Sequence, residues 1–432
     1  MTEDIMKSKN RLLVVCVLLP LIASLARAQG ESALPFLLIA PNSEANGWGG
    51  VSTAVASENP VATLANPGQL GIFSPHNYFA ATTYAPKTSW LPSYGLEDLT
   101  YNVSAINAGV NLGEPFDLPV PFSVGVGYSR VYLDLGEFII TGSGGPKELG
   151  RFHAYEKSEN LSFAFGVDYF LKVGFGVNTK RITSSLSPVA IAGAGSSEAK
   201  VTATDYGLLV QAPIFDIFQK ATGEEYRILP EFSPLADLTF GYARNNIGDK
   251  IVYVNAAQAD PLPRNATIGM SMELGLVKQM GAYTWKWFTI TLAREAEDLL
   301  ITRRPDGSFV YQSGTGDISF FKHVIRGELS DNERVNLHKG WQINLAEFLY
   351  VRRGSFAESP LYGNRNYTTN GFGLRTRGLM KFIRGMSSGE NDGTFLSFVL
   401  DHVDLSYDQA EYSTDGPLGG TTFHSIGLTI RQ

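Results

Sequence analysis

The side chains that could do chemistry are few and scattered. Six histidines, His76, His153, His323, His338, His402 and His424, stand far apart along the 432 residues. The densest acid–base cluster is Asp401-His402-Val403-Asp404. A strand would put Asp401 and His402 on opposite faces, a poor arrangement for one metal ion. The lone cysteine, Cys16, allows neither a disulfide framework nor a thiolate metal site. H-E-x-x-H, phosphate-loop and EF-hand spacings are absent. The expectation is a protein that is not an enzyme, with no catalytic residue, no metal and no cofactor.

Two other patterns concern structure. Arg352 and Arg353 are consecutive, so in a strand they face opposite ways. One of them, taken as Arg352, faces the interior. There it either tethers an N-terminal acid, Glu44 or Glu58, or makes an ordinary interior ion pair. Gly125, Gly127, Gly174, Gly176, Gly371 and Gly373 alternate inside strand-like runs with no following helix. That is close packing rather than a nucleotide loop.

The elements that must position these residues are strands. In Phe122–Ser129, Phe122, Val124, Val126 and Tyr128 alternate with Ser123, Gly125, Gly127 and Ser129. The same period of two runs through 161–168, 171–178 and 266–275. A soluble sandwich also alternates, but three features favour a membrane barrel. Segments run about ten residues, the length of a tilted crossing. The non-apolar face is rich in Gly, Ser and Thr. Aromatics (Tyr128, Tyr132, Tyr169, Phe170, Trp285, Trp287, Trp341 and Tyr350) gather near segment ends, where girdles would sit.

Fifteen segments qualify as strands: 76–84, 100–112, 121–133, 159–168, 171–182, 201–211, 236–244, 265–275, 285–293, 318–328, 336–345, 348–355, 370–378, 395–407 and 420–430. A single-chain bacterial barrel with both ends on one side needs an even number. If the short turns Tyr169-Phe170 and Ala346-Glu347 are both periplasmic, an even number of strands separates 171–182 from 336–345. One of the five between them is therefore false. Phe320, Phe321, Val324, Ile325 and Leu329 recur at helical spacing, so 318–328 is read as a helix or loop outside the cell. Fourteen antiparallel strands remain, with both ends periplasmic. Extracellular loops fall at 134–158, 183–200, 245–264, 294–335 and 356–369. Two longer periplasmic connections fall at 212–235 and 379–394, the first with a short surface helix at 213–218.

The ends complete the reading. Lys7, Lys9 and Arg11, then the apolar run Leu12–Ala23, then Ala26-Arg27-Ala28 form a signal peptide over 1–28. Removing its four basic and two acidic residues takes the formal charge from −7 to −9. An acidic chain without a Lys/Arg run is a poor nucleic-acid binder. Residues 29–75 are crowded with small residues and suit a plug inside the lumen, and 76–432 form the barrel. The plug motif comprises Pro41, Gly47, Trp48, Gly49, Asn66 and Pro67. Asn66-Pro67 shapes the exit of that segment or is only a turn.

The run Pro35-Phe-Leu-Leu-Ile-Ala-Pro41, with Ala45-Asn-Gly-Trp-Gly-Gly-Val51 and Asn66-Pro-Gly-Gln-Leu-Gly71, resembles the N-terminus of the PorV/PorQ outer-membrane proteins, relatives of FadL-type transporters. Asn245-Asn246-Ile247-Gly248 with Pro261-Leu262-Pro263, His338-Lys-Gly-Trp-Gln342 leading to Val351-Arg352-Arg353-Gly354, and Asn370-Gly-Phe-Gly-Leu374 are similar to family stretches in the same order. The chain departs from the pattern where Glu44 replaces a basic residue and Gln342 an acid. The resemblance implies a fourteen-stranded outer-membrane barrel with an N-terminal hatch. It also implies one of two activities. One is binding secreted cargo proteins by their C-terminal signal domains in type IX secretion. The other is FadL-like carriage of a hydrophobic small molecule through the lumen and a lateral opening. A structural barrel without ligand is the third reading. The expected partners are outer-membrane lipid with either cargo or a hydrophobic ligand.

Overall fold

The computed structural model describes residues 32–113, 115–116, 120–141, 148–186, 198–253, 259–280, 283–304, 306–360, 363–386 and 395–431. The expected signal peptide lies outside them. The strands are β1 (Tyr78–Tyr84), β2 (Thr88–Ser89), β3 (Thr100–Asn111), β4 (Phe122–Thr141), β5 (Glu148–Asp168), β6 (Lys172–Ser185), β7 (Glu198–Pro213), β8 (Phe232–Gly248), β9 (Asn265–Met280), β10 (Tyr283–Leu299), β11 (Ile301–Arg303), β12 (Phe309–Tyr311), β13 (Val335–Leu345), β14 (Leu349–Ala357), β15 (Asn366–Arg375), β16 (Val403–Ser413) and β17 (Thr422–Arg431). Each strand pairs antiparallel with its neighbours, and β1 bonds both β17 and β3. That closes fourteen strands into a barrel. The two-residue β2 only extends β3, and β11–β12 is a separate hairpin.

The segment rejected on parity is a π-helix, Phe320–Arg326. At the short β13–β14 connection, Ala346 and Glu347 both take positive φ, 58° and 51°, the twist that a tight antiparallel hairpin favours. Several expected boundaries move. Residues 134–158 are largely strand, because β4 and β5 continue together to Thr141 and Glu148. β10 likewise runs on to Leu299. The segment 395–407 is split. Phe395–His402 is helix α5, and the strand starts at Val403. A short, mainly apolar run such as Phe395–Leu400 has no period to tell helix from strand. Helices α3 (Ile214–Thr222) and α4 (Arg377–Met386) lie at the same end of the barrel as the short turns.

The strands change character along their length. Outward side chains on the periplasmic half are apolar and exposed, among them Val126, Phe163, Phe165 and Phe175. Register places Ile106 beside Tyr128 and Tyr128 beside Leu161 at the upper limit of this band. The next outward row is Arg130, Glu159 and Arg181, also side by side. Inward side chains invert in step. Ser123, Gly125 and Gly127 lie below, and the buried Tyr101, Val103, Val131 and Leu133 lie above. Strands facing lipid below and water above require this inversion. Among the described residues no helix is long and apolar enough to cross a membrane. The closed barrel crosses by its strands, in the outer membrane.

Candidate functional site

The lumen is occupied by the chain's own N-terminal segment. It contains only short helices: α1 (Ser43–Asn46), α2 (Gly68–Phe73) and 3-10 turns at Pro35–Leu38, Pro60–Leu64 and Ser74–His76. Asn42 and Asn59 cap two of them through their Oδ1 atoms, on Glu44 N at 3.0 Å and Val61 N at 3.1 Å. Pieces this short need the barrel wall to hold them. Glu295 on β10 accepts from Ser52 N at 3.1 Å and Ala54 N at 2.6 Å. Asn178 on β6 donates to Thr63 O at 2.8 Å. That asparagine is set by Asp205, which pairs with buried Lys180 at 2.9 Å. Asn66, wholly buried, donates to Thr53 O and Leu208 O and accepts from Gly68 N. Pro41 O accepts from Tyr84 Oη at 2.9 Å.

The glycine rows are the seat of this segment. A Cβ at Gly354 would stand 2.0 Å from the Trp48 carbonyl carbon, and one at Gly340 2.2 Å from its oxygen. Gly174 and Gly176 face Gly68 and Pro67 in the same way, and Gly371 faces Gly47. Trp48 is buried against the inner face of β13 and β14, and Gly49, at φ 87°, turns the chain after it. Gly49 N donates to Thr369 Oγ1 at 2.8 Å, and its carbonyl meets His338 Nδ1 at 2.8 Å.

The ion-pair candidates meet in part. Arg352 is buried and faces inward, whereas Arg353 faces outward and is exposed. Arg352 donates through Nε to Gln342 at 2.6 Å, through Nη1 to Asp408 at 2.7 Å and through Nη2 to Glu44 at 3.3 Å. Arg375 joins the cluster, 2.9 Å from Asp408. Both guanidinium groups lie over Tyr350, 5.4 Å from its ring centre. Tyr350 is thus a lumen residue and not part of a lipid girdle. Glu58 does not reach Arg352. It pairs with Arg377 at 3.4 Å and with Arg431. Neither Asp408 nor Arg375 stood out in the sequence, because neighbours on adjacent strands leave no local spacing.

The segment lies between a filled apolar chamber above and an open cavity below. In the upper one Tyr84, Tyr101, Val103, Val131, Tyr412 and Phe423 form one packed cluster with Leu34 and Phe36 of the segment itself. Tyr84 makes edge-on contacts with Tyr101 and Phe423, each at 6.1 Å. The lower one is a cavity of 660 Å³ opening toward the periplasm. Its walls are charged: Glu58, Asp237, Glu273 and Glu347 stand with Lys286, Arg377 and Lys381. Burial pushes the Glu347 carboxyl up, but Arg377 and Lys381 outweigh it and hold the group below its ordinary range. Burial and Arg377 lower Lys381.

Asp401-His402-Val403-Asp404 straddles the end of α5, where His402 Nδ1 meets Arg431 O at 2.7 Å and Asp404 accepts from Arg377 N at 2.9 Å. Among the described residues no group of three or more His, Cys, Asp and Glu is placed to hold a metal ion. A G-x-S-x-G spacing is present at Gly385-Met386-Ser387-Ser388-Gly389. It begins at the end of a helix rather than of a strand, unlike a nucleophile elbow, and its last three residues lie outside the described residues.

No protein-family model matches the chain, and no curated protein does. Solved structures similar to it include the Ralstonia pickettii toluene transporter TbuX, 11% identical with TM-score 0.43, covering 90% of this chain and 97% of that one. The Pseudomonas putida toluene transporter TodX is 10% identical with TM-score 0.38, over 90% and 96%. A Pseudomonas aeruginosa FadL homologue is 11% identical with TM-score 0.37, over 90% and 98%. At these scores the likeness carries no functional weight, and the chemistry of the lumen stands on its own residues.

Proposed function

We propose that this barrel carries hydrophobic small molecules, taking them up in the upper chamber in place of Leu34 and Phe36. The observation that carries this reading is the aromatic lining of that chamber, where Tyr84, Tyr101, Tyr412 and Phe423 meet in one buried apolar cluster. Pockets for small apolar ligands are concave, apolar and edged by a few polar groups. Here the Tyr84 and Tyr101 hydroxyls supply the polar edge and bond the N-terminal segment at Pro41 O and Ile39 O. Leu34 and Phe36 are apolar occupants whose place a ligand of like chemistry would take.

The test is binding of N-phenyl-1-naphthylamine, a fluorescent aromatic probe, to purified protein in detergent. Leu34→Ala with Phe36→Ala empties part of the chamber, and probe affinity is expected to rise several-fold over the unaltered protein. Tyr101→Asp is expected to abolish it. Equal, weak partition into all three would contradict the reading.

A second reading, docking of type IX cargo at the cell surface, is favoured by the β4–β5 hairpin. β3 pairs with β4 only as far as Asp134, and β6 with β5 only as far as Tyr155. Beyond them neither outer edge is paired by a strand among the described residues, and Phe138, Ile139 and Leu149 are exposed. Free edges accept an added strand. Shortening this hairpin separates the two readings, since it removes cargo docking and leaves probe binding in place.

A further inference from the structure

Helix α4 is amphipathic in a way that the lumen alone does not explain. Leu379, Phe382 and Ile383 recur at i, i+3 and i+4 on one side, while Arg377, Lys381 and Arg384 form the other. The basic side is fixed. Lys381 Nζ bonds Glu347 at 2.7 Å and Thr284 O at 2.9 Å, and Arg377 Nε lies 3.4 Å from Glu347. Arg384 reaches Asp401 on α5 at 3.3 Å. Gly378 lies so close to the β13–β14 turn that a Cβ there would stand 1.9 Å from Ala346 O. The helix therefore cannot roll, and its apolar side is held outward. Leu379, Phe382 and Ile383 are 45%, 42% and 43% exposed, and Phe395 and Leu396 on α5 are more so.

The level of this face identifies what covers it. Tyr169, Phe170 and Leu171 in one periplasmic turn, and Phe348 in the other, are also exposed. Turn residues of this kind mark the interface of a barrel with its lipid. Phe382 lies 5.9 Å from the Trp285 ring, centre to centre, and α4 begins three residues after Leu374, an outward residue of β15. The apolar face thus continues the lipid-facing wall of the barrel.

We propose that α4 and α5 lie in the plane of the periplasmic leaflet, with Leu379, Phe382 and Ile383 among phospholipid acyl chains. An in-plane helix buries its apolar side at the acyl boundary and keeps its polar side out of it. Here the polar side is the floor of the lower chamber and grips Glu58 of the N-terminal segment. The bilayer thereby holds the floor in place.

Spin labels on single cysteines test this in proteoliposomes of phosphatidylethanolamine and phosphatidylglycerol. A Cys16→Ser background leaves no other thiol. Leu379→Cys, Phe382→Cys and Ile383→Cys are compared with Leu405→Cys, on the lipid-facing wall, and Glu224→Cys, an exposed position beyond α3. The expected result is that the three α4 labels follow Leu405, relaxing with dissolved oxygen several-fold more than with an aqueous nickel chelate. Labels that follow Glu224 would overturn the proposal. So would labels shielded from both reagents, because a second copy or another protein would then cover the face. Heat-modifiable migration of each variant confirms that the barrel is folded.

Discussion

At the scale of the residue, the lumen is held by a few buried charges whose partners come from distant parts of the chain. Arg352 is the clearest case, with Gln342, Asp408 and Glu44 on its three nitrogens. Removing one partner of a buried pair leaves the others desolvated and uncompensated. Arg352→Ala is therefore expected to destabilise the barrel by roughly 3–5 kcal/mol, read as an earlier transition in denaturant. Glu44→Gln should cost much less, because Arg352 keeps Asp408. Equal losses would mean that the N-terminal acid, and not the wall, carries the cluster. Strand alternation made the opposite facings of Arg352 and Arg353 legible in the sequence. It could not give the wider set, since Asp408 and Arg375 become neighbours only when β14, β15 and β16 come into register. Glu58 was legible as an interior acid, but its partners Arg377, at the start of α4, and Arg431, at the end of β17, stand at a height in the barrel that no local pattern records.

At the scale of the element, the period of two and the parity of short turns made fourteen strands legible, including the rejection of 318–328. The limits of those strands were not. A crossing strand leaves the membrane by inverting which face is apolar, as β3 does between Ile106 and Val103. Read without a membrane boundary, this looks like a break in the pattern. The paired extension of β4 and β5 was missed for the same reason. The glycine rows were legible as close packing, but not as the seat of another segment. Gly354→Val puts a side chain onto the Trp48 backbone. The expected outcome is a barrel that still shows heat-modifiable migration while its N-terminal segment becomes sensitive to added protease. A segment as resistant as in the unaltered protein would show that the wall can yield there.

At the scale of the whole molecule, the protein is an outer-membrane barrel whose lumen is filled by its own N-terminus. The start of that segment packs into an apolar cluster above, and a charged cavity lies below it. The central claim is that the segment sits inside the wall, and Ser43 on α1 and Ser425 on β17 offer the most direct test. Their hydroxyls are in hydrogen-bond contact and both are buried. With Cys16→Ser, Ser43→Cys and Ser425→Cys in one chain, mild oxidation of intact cells should join the two positions in nearly every molecule. The product would be a closed loop that migrates differently until reduced. Two free thiols, both open to a water-soluble maleimide and never joined, would contradict the account.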